Sequence, residues 1–115
     1  DLLATGYWAA KISEIQSGDT VAILGAGPTG LCTLQCVRLY HPGHIVVIDP
    51  DTERLQLAKQ MGADFVVDPT KEDPTSLLHS LTDGRGADVV LEVAGAKDCV
   101  ENSTAQCGGV CCCNV

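Results

Sequence analysis

Three glycines and one aspartate carry the chemistry that is legible first in this sequence. In Thr20-Val-Ala-Ile-Leu-Gly-Ala-Gly-Pro-Thr-Gly30 an apolar, β-branched run leads straight into Gly25, Gly27 and Gly30, and a helical pattern follows. A strand running into Gly-x-Gly-x-x-Gly and then a helix suits the pyrophosphate of a dinucleotide. Gly25 permits the tight turn, Gly27 lets the backbone approach the phosphates, and Gly30 lets the helix pack closely on the strand. Pro28 and Thr29 fall in the first turn of that helix, where proline's missing N–H is no loss. The helix end offers unpaired N–H groups and a positive dipole end to the phosphates. The competing reading is a merely structural glycine turn, against which the flanking strand and helix weigh.

The aspartate is Asp49, which ends the run Ile45-Val-Val-Ile-Asp49 and lies 19 residues beyond Gly30. An acidic residue there accepts hydrogen bonds from a ribose hydroxyl pair. It would serve equally as the N-cap of a helix starting near Thr52, but Asp51 fills that role at least as well. Arg54 is a second candidate contact to the same sugar.

These residues need a scaffold, and the rest of the chain supplies its rhythm. Short β-branched runs alternate with longer helical patterns, a sequence of βαβ units that implies a parallel sheet. Strands are expected over Thr20 to Leu24, Ile45 to Asp49, Phe65 to Val67, Val89 to Val93 and Val110 to Val115. They are apolar on both faces and therefore buried on both sides. Helices are expected over Thr29 to Tyr40, Thr52 to Met61, Pro74 to Leu81 and Lys97 to Ala105, the second with Leu55, Leu57, Ala58 and Met61 near one face. A further helix, Tyr7 to Ile15, stops at the turn sequence Ser17-Gly18-Asp19.

At 115 residues, 45% hydrophobic and 19% charged, the chain suits one globular domain. It has room for one core, not for a self-contained two-domain enzyme. Seven basic against fifteen acidic residues give a net charge of −8 with no Lys or Arg cluster, which argues against nucleic acid and anionic membranes as partners. No apolar run approaches the roughly 20 residues that span a bilayer, and a cytoplasmic location is the default expectation. The only methionine is Met61, so an internal piece of a longer protein is expected. Of seven cysteines, four crowd into Cys107 to Cys113; the odd count favours reduced thiols. Cys32 and Cys36, spaced i and i+4, and Cys111 to Cys113 read as small buried hydrophobes rather than metal ligands. His41, His44 and His79 fall in or near loops at no metal spacing, and Asp64 to Asp73 reads as a solvated loop and surface.

Taken together, four segments resemble the zinc-dependent medium-chain alcohol dehydrogenases. They are Thr5-Gly6-Tyr7 with Gly18-Asp19-Thr20, Val21 to Leu31, Glu53 to Asp64, and Gly84-Arg-Gly-Ala-Asp-Val-Val-Leu-Glu92. The resemblance covers almost the whole chain and implies the cofactor-binding, Rossmann-type domain of such an enzyme, without its GroES-like catalytic domain. It implies NAD as cofactor, zinc in the intact enzyme, a small alcohol or carbonyl substrate, and a homo-oligomer at full length. By position it makes Asp1 a zinc ligand, places Thr5 near the nicotinamide ring, and assigns Val93 to Gly95 to the dinucleotide cleft. The remaining zinc ligands and the proton relay would lie upstream, so no catalytic residue is assigned here. The tail Gln106-Cys-Gly-Gly-Val-Cys-Cys-Cys-Asn-Val115 departs from the family's usual Arg-Pro-Gly-Gly turn and Val-rich strand.

The expectation is a doubly wound parallel α/β sheet of five strands with NAD in the crevice at the carboxyl ends of the strands. Residues 1–18 form a leading helix and junction and residues 19–115 the NAD-binding domain, ending before a last strand. In the intact enzyme the reaction is hydride transfer between an alcohol and NAD. Two alternatives remain: a non-catalytic NAD-binding module, and an S-adenosylmethionine-dependent methyltransferase, against which the tight glycine spacing argues.

Overall fold

A computed structural model describes residues 15–93 and 112–114. Its elements run β1 (Thr20–Leu24), α1 (Pro28–Arg38), β2 (His44–Ile48), α2 (Thr52–Gln60), β3 (Phe65–Val67), α3 (Pro74–Leu81), β4 (Val89–Glu92) and β5 (Cys112–Asn114). The five strands make one sheet in the order β3-β2-β1-β4-β5, and every neighbouring pair is parallel. This is the doubly wound arrangement that the alternating strand and helix patterns imply.

Strand alternation sorts the core into two layers. Val21 and Ile23 of β1, Ile45 and Val47 of β2, and Val89 and Leu91 of β4 face one side, where Leu34 and Val37 of α1 and Leu55 and Ala58 of α2 cover them. Ala22, Leu24, Val46, Ile48, Val67 and Val90 face the other side, where Leu78 of α3 packs. All five residues of β1 and all four of β4 are buried, as central strands covered on both faces must be.

Local chemistry sets most of the helix ends. Asp51 caps α2, its Oδ1 accepting from the amides of Glu53 at 2.9 Å and Arg54 at 3.3 Å. Asp73 caps α3, accepting from Thr75 N at 3.0 Å, with Pro74 in the first turn. At the other pole, aspartates fasten the strand starts: Asp88 Oδ2 accepts from Thr20 N at 2.9 Å and Asp64 Oδ2 from Ile45 N at 2.8 Å.

Several expectations need correction. The first helix begins at Pro28 and stops at Arg38, because the amides of Leu39 and Tyr40 bond three residues back and His41 turns the chain with φ +55°. Asp49 and Val93 lie one residue past their strands, and Met61 one past its helix. Leu57 is 45% exposed while Leu55 and Ala58 are buried. At 100° per residue, position 57 is some 200° from Leu55 and cannot share its face. His44 opens β2 directly after the loop and His79 lies in the last turn of α3, so both stand next to loops as expected. Asp64 to Asp73 is more organised than a solvated loop, since it holds β3, the Asp64 bond to β2 and the Asp73 cap. The last strand is described only over Cys112–Asn114. The expected helices over Lys97 to Ala105 and over residues 7–14 lie outside the described residues, as do Asp1, Thr5 and Gly95. Among the described residues, no helix is long and apolar enough to cross a membrane.

Candidate dinucleotide-binding site

Register alone brings three loops to one point. Leu24 at the end of β1 pairs with Ile48 of β2 on one side and with Glu92 of β4 on the other. The residue after each is therefore level with the other two: Gly25, Asp49 and Val93. This is also where the strand order reverses, with β2 and β3 on one side of β1 and β4 and β5 on the other. In open parallel sheets the ligand crevice lies at that reversal, beyond the carboxyl ends of the strands. Gly25, Gly27, Pro28, Thr29, Gly30, Asp49, Arg54 and Val93 line a cleft of about 160 Å³ there.

The three glycines are needed for three different reasons. Gly25 has φ +116°, a conformation that side chains resist, and its amide donates to Ile48 O at 2.8 Å. A Cβ on Gly30 would lie 2.0 Å from the carbonyl oxygen of Gly25 and 3.3 Å from Val93 Cγ2, so the start of α1 can approach the turn only without one. Gly27 is different. Among the described residues a Cβ there would meet only Arg54 Nη1, at 3.9 Å, so their packing does not require glycine at this position. Its missing side chain instead leaves a cradle open to the cleft.

Gly27 is the N-cap of α1, and neither a side-chain cap nor an acidic residue occupies the first turn. Pro28 has no N–H, and the first intrahelical bond runs from Leu31 N to Gly27 O at 2.9 Å. The amides of Thr29 and Gly30 therefore have no carbonyl of their own helix to bond, and they lie at the positive end of its dipole. Such an end takes phosphate oxygens. Opposite it, Asp49 is only 6% exposed. Its Oδ2 accepts from Ala26 N at 2.8 Å and its Oδ1 from Asp51 N at 2.8 Å. It is not a helix cap; Asp51 has that role. Arg54 reaches over Gly27 from the first turn of α2, and among the described residues its only ion pair is with Asp51 at 3.7 Å between half-exposed side chains. Such exposed pairs are weak, which leaves the guanidinium able to turn toward an anion in the cleft.

The donors and acceptors present fit a dinucleotide: amides and a cation for the bridging phosphates, a carboxylate for a ribose diol. Sequence reasoning missed the Asp49 bond to Ala26. Its signal was available, because a carboxylate placed directly behind a buried strand must find donors, and the glycine turn is the nearest source of amides. Cys36 is buried and Cys32 half-buried in α1, and burial pushes the Cys36 thiol up, with Cys32 adding to the rise. Among the described residues, no group of three or more His, Cys, Asp or Glu could hold a metal ion.

Comparison with known proteins places this geometry in a family. The profile of the family described as zinc-binding dehydrogenase matches residues 28–110. An alcohol dehydrogenase of Cupriavidus necator is 38% identical over 103 residues, which is 90% of this chain and 28% of that protein. Among solved structures, alcohol dehydrogenase TADH from Thermus sp. ATN1 superposes with TM-score 0.91 at 30% identity, over 100% of this chain and 35% of its own. A zinc-binding dehydrogenase candidate from Sinorhizobium meliloti 1021, solved bound to NADP, gives 0.88 at 33% identity over 96% of this chain and 34% of its own. The chain thus spans about a third or less of these relatives. It belongs to the zinc-binding dehydrogenase family and corresponds to the NAD(P)-binding part of its members.

Proposed function

We propose that the cleft between Gly25 and Asp49 binds a nicotinamide dinucleotide, with NAD preferred to NADP. The observation that carries this is the cradle at Gly27, which no other described residue fills and which is set at an uncapped helix N-terminus that faces a buried carboxylate. The pyrophosphate lies over Gly27 and takes hydrogen bonds from the amides of Thr29 and Gly30, with Pro28 fixing the start of the helix. Asp49 accepts from the adenosine ribose hydroxyls, and Arg54 supplies the nearby positive charge. Val93 and Gly95 line the far side of the cleft and Thr5 stands near the nicotinamide; the latter two assignments rest on the resemblance given above.

In the longer enzyme the reaction is hydride transfer between a small alcohol or carbonyl compound and the nicotinamide, which serves as the redox partner. Asp1 as a ligand of the family's zinc, and assembly into a homo-oligomer, belong to that longer protein and rest on the same resemblance. This chain's part is to bind and orient the cofactor.

Calorimetric titration of NAD and NADP tests the proposal. Saturable binding with NAD the tighter ligand supports it. Equal affinity refutes the preference, and no binding of either cofactor refutes the assignment.

A further inference from the structure

Asp49 has both carboxylate oxygens engaged within the chain. Oδ2 accepts from Ala26 N at 2.8 Å, across 23 residues of sequence, and Oδ1 accepts from Asp51 N at 2.8 Å. Ala26 lies between Gly25 and Gly27, so one oxygen grips the middle of the glycine turn while the other holds the residue that caps α2. The neighbouring anchors are at the edges of the turn: Gly25 N donates to Ile48 O, and Gly27 O accepts from Leu31 N. Between them, two glycines leave the backbone with little conformational restraint of its own. Each carboxylate oxygen has two acceptor lone pairs, so each can hold its amide and still accept from a ribose hydroxyl.

We infer that Asp49 is a positioning residue for the phosphate half of the nucleotide, as well as an acceptor for the ribose half, because its grip on Ala26 fixes the turn that presents Gly27 and the helix amides. The ligand in this inference rests on the dinucleotide reading, whereas the grip itself is made within the chain. Substitutions made at Asp49 to change nucleotide choice then also loosen the phosphate cradle. One side chain governs both halves of the site.

Two measurements separate this role from ribose contact alone. The first is amide hydrogen exchange in the wild-type chain. The Ala26 amide is expected to exchange on the order of tenfold more slowly than that of Gly27, which meets no acceptor among the described residues. In Asp49→Ala, where the side chain has no acceptor, the Ala26 rate rises toward that of Gly27. The second is titration of wild type and Asp49→Ala with ADP and with 2′,3′-dideoxy-ADP, which lacks the hydroxyls that Asp49 would accept from. The variant is expected to weaken dideoxy-ADP on the order of tenfold, the size of a lost charge-assisted hydrogen bond, and ADP by more. Dideoxy-ADP bound equally by both proteins overturns the inference, as does an Ala26 amide that exchanges as fast as Gly27 in the wild type. Should the wild type bind neither nucleotide, the dinucleotide reading falls, and the amide rates alone uphold or overturn the grip on Ala26.

Discussion

Gly27→Ala and Gly30→Ala are chemically identical changes three residues apart, and the structure predicts opposite phenotypes for them. A methyl group on Gly30 would lie 2.0 Å from the Gly25 carbonyl oxygen and 2.8 Å from its carbon, where relaxed carbon–oxygen contacts are about 3.3–3.6 Å. More than an ångström of backbone movement is required, in a turn already held at φ +116°. Overpacking ordinarily costs about 1–3 kcal/mol, and a clash with backbone belongs at the upper end. At roughly 4 °C per kcal/mol for a domain of this size, Gly30→Ala lowers Tm by about 10 °C or more. Gly27 has an extended backbone (φ −73°, ψ −172°) that alanine adopts freely, and its nearest neighbour would be 3.9 Å away. Alanine is a poorer N-cap than glycine, so about 0.5–1 kcal/mol is lost there, a few degrees at most. The new methyl does, however, enter the cradle assigned to the pyrophosphate. A loss of about 1.4–2.7 kcal/mol is a tenfold to hundredfold fall in affinity for NAD. Scanning calorimetry of both variants, with titration of NAD into Gly27→Ala, reads both effects. A Gly30→Ala chain that melts within two or three degrees of wild type (an order-of-magnitude margin) refutes the packing argument, and a Gly27→Ala chain that binds NAD like wild type refutes the cradle.

Replacing Asp49 with Ser or Gly is expected to weaken NAD and to narrow or reverse the preference over NADP. A 2′-phosphate about 4 Å from the carboxylate is repelled by about 4 kcal/mol at an effective dielectric near 20, and a third of that surviving salt is still roughly tenfold in affinity; paired titrations check it. Leu78 is the fully buried leucine of α3 in the core layer on its side of the sheet, with partly buried Leu77 and Leu81 packed against the same layer, so Leu78→Ala should destabilise by about 2–5 kcal/mol in urea unfolding. Cys36 should be alkylated far more slowly than half-buried Cys32, with a rate that levels off at higher pH than for an ordinary thiol because burial holds its thiol above the usual value; peptide mass spectrometry after timed iodoacetamide treatment follows both. A zinc chelator should leave Tm of the reduced chain unchanged if its cysteines are packing residues, as their spacing suggests; a fall of many degrees contradicts that.

The parts of this fold that were legible in the sequence are those fixed by local rules. The runs from Thr20 to Leu24 and from Phe65 to Val67, and the helix from Pro74 to Leu81, have the expected bounds, because β-branched runs and an Asp-Pro start announce themselves within a few residues. The convergence of Gly25, Asp49 and Val93 follows from parallel pairing once the strands are known. Tertiary facts were less visible. The Ala26 bond to Asp49 joins residues 23 apart, and the bond from Thr20 N to Asp88 joins residues 68 apart, so no local pattern encodes either. Leu57 was misplaced by counting hydrophobic residues instead of angles. The different tasks expected of Gly27 and Gly30 follow from their places in the motif; what the motif does not give is the atom each absent Cβ would meet, Gly25 O at 2.0 Å for Gly30 and Arg54 Nη1 at 3.9 Å for Gly27.

The most direct test of the whole account is a titration of NAD into isotopically labelled chain, followed residue by residue through its amide resonances. The account predicts saturable shifts centred on Gly25, Ala26, Gly27, Thr29 and Gly30, with Asp49 and Arg54 moving at the same NAD concentrations. Absence of shifts at saturating NAD, or shifts confined to another surface such as the loop from Pro69 to Thr75, would contradict it.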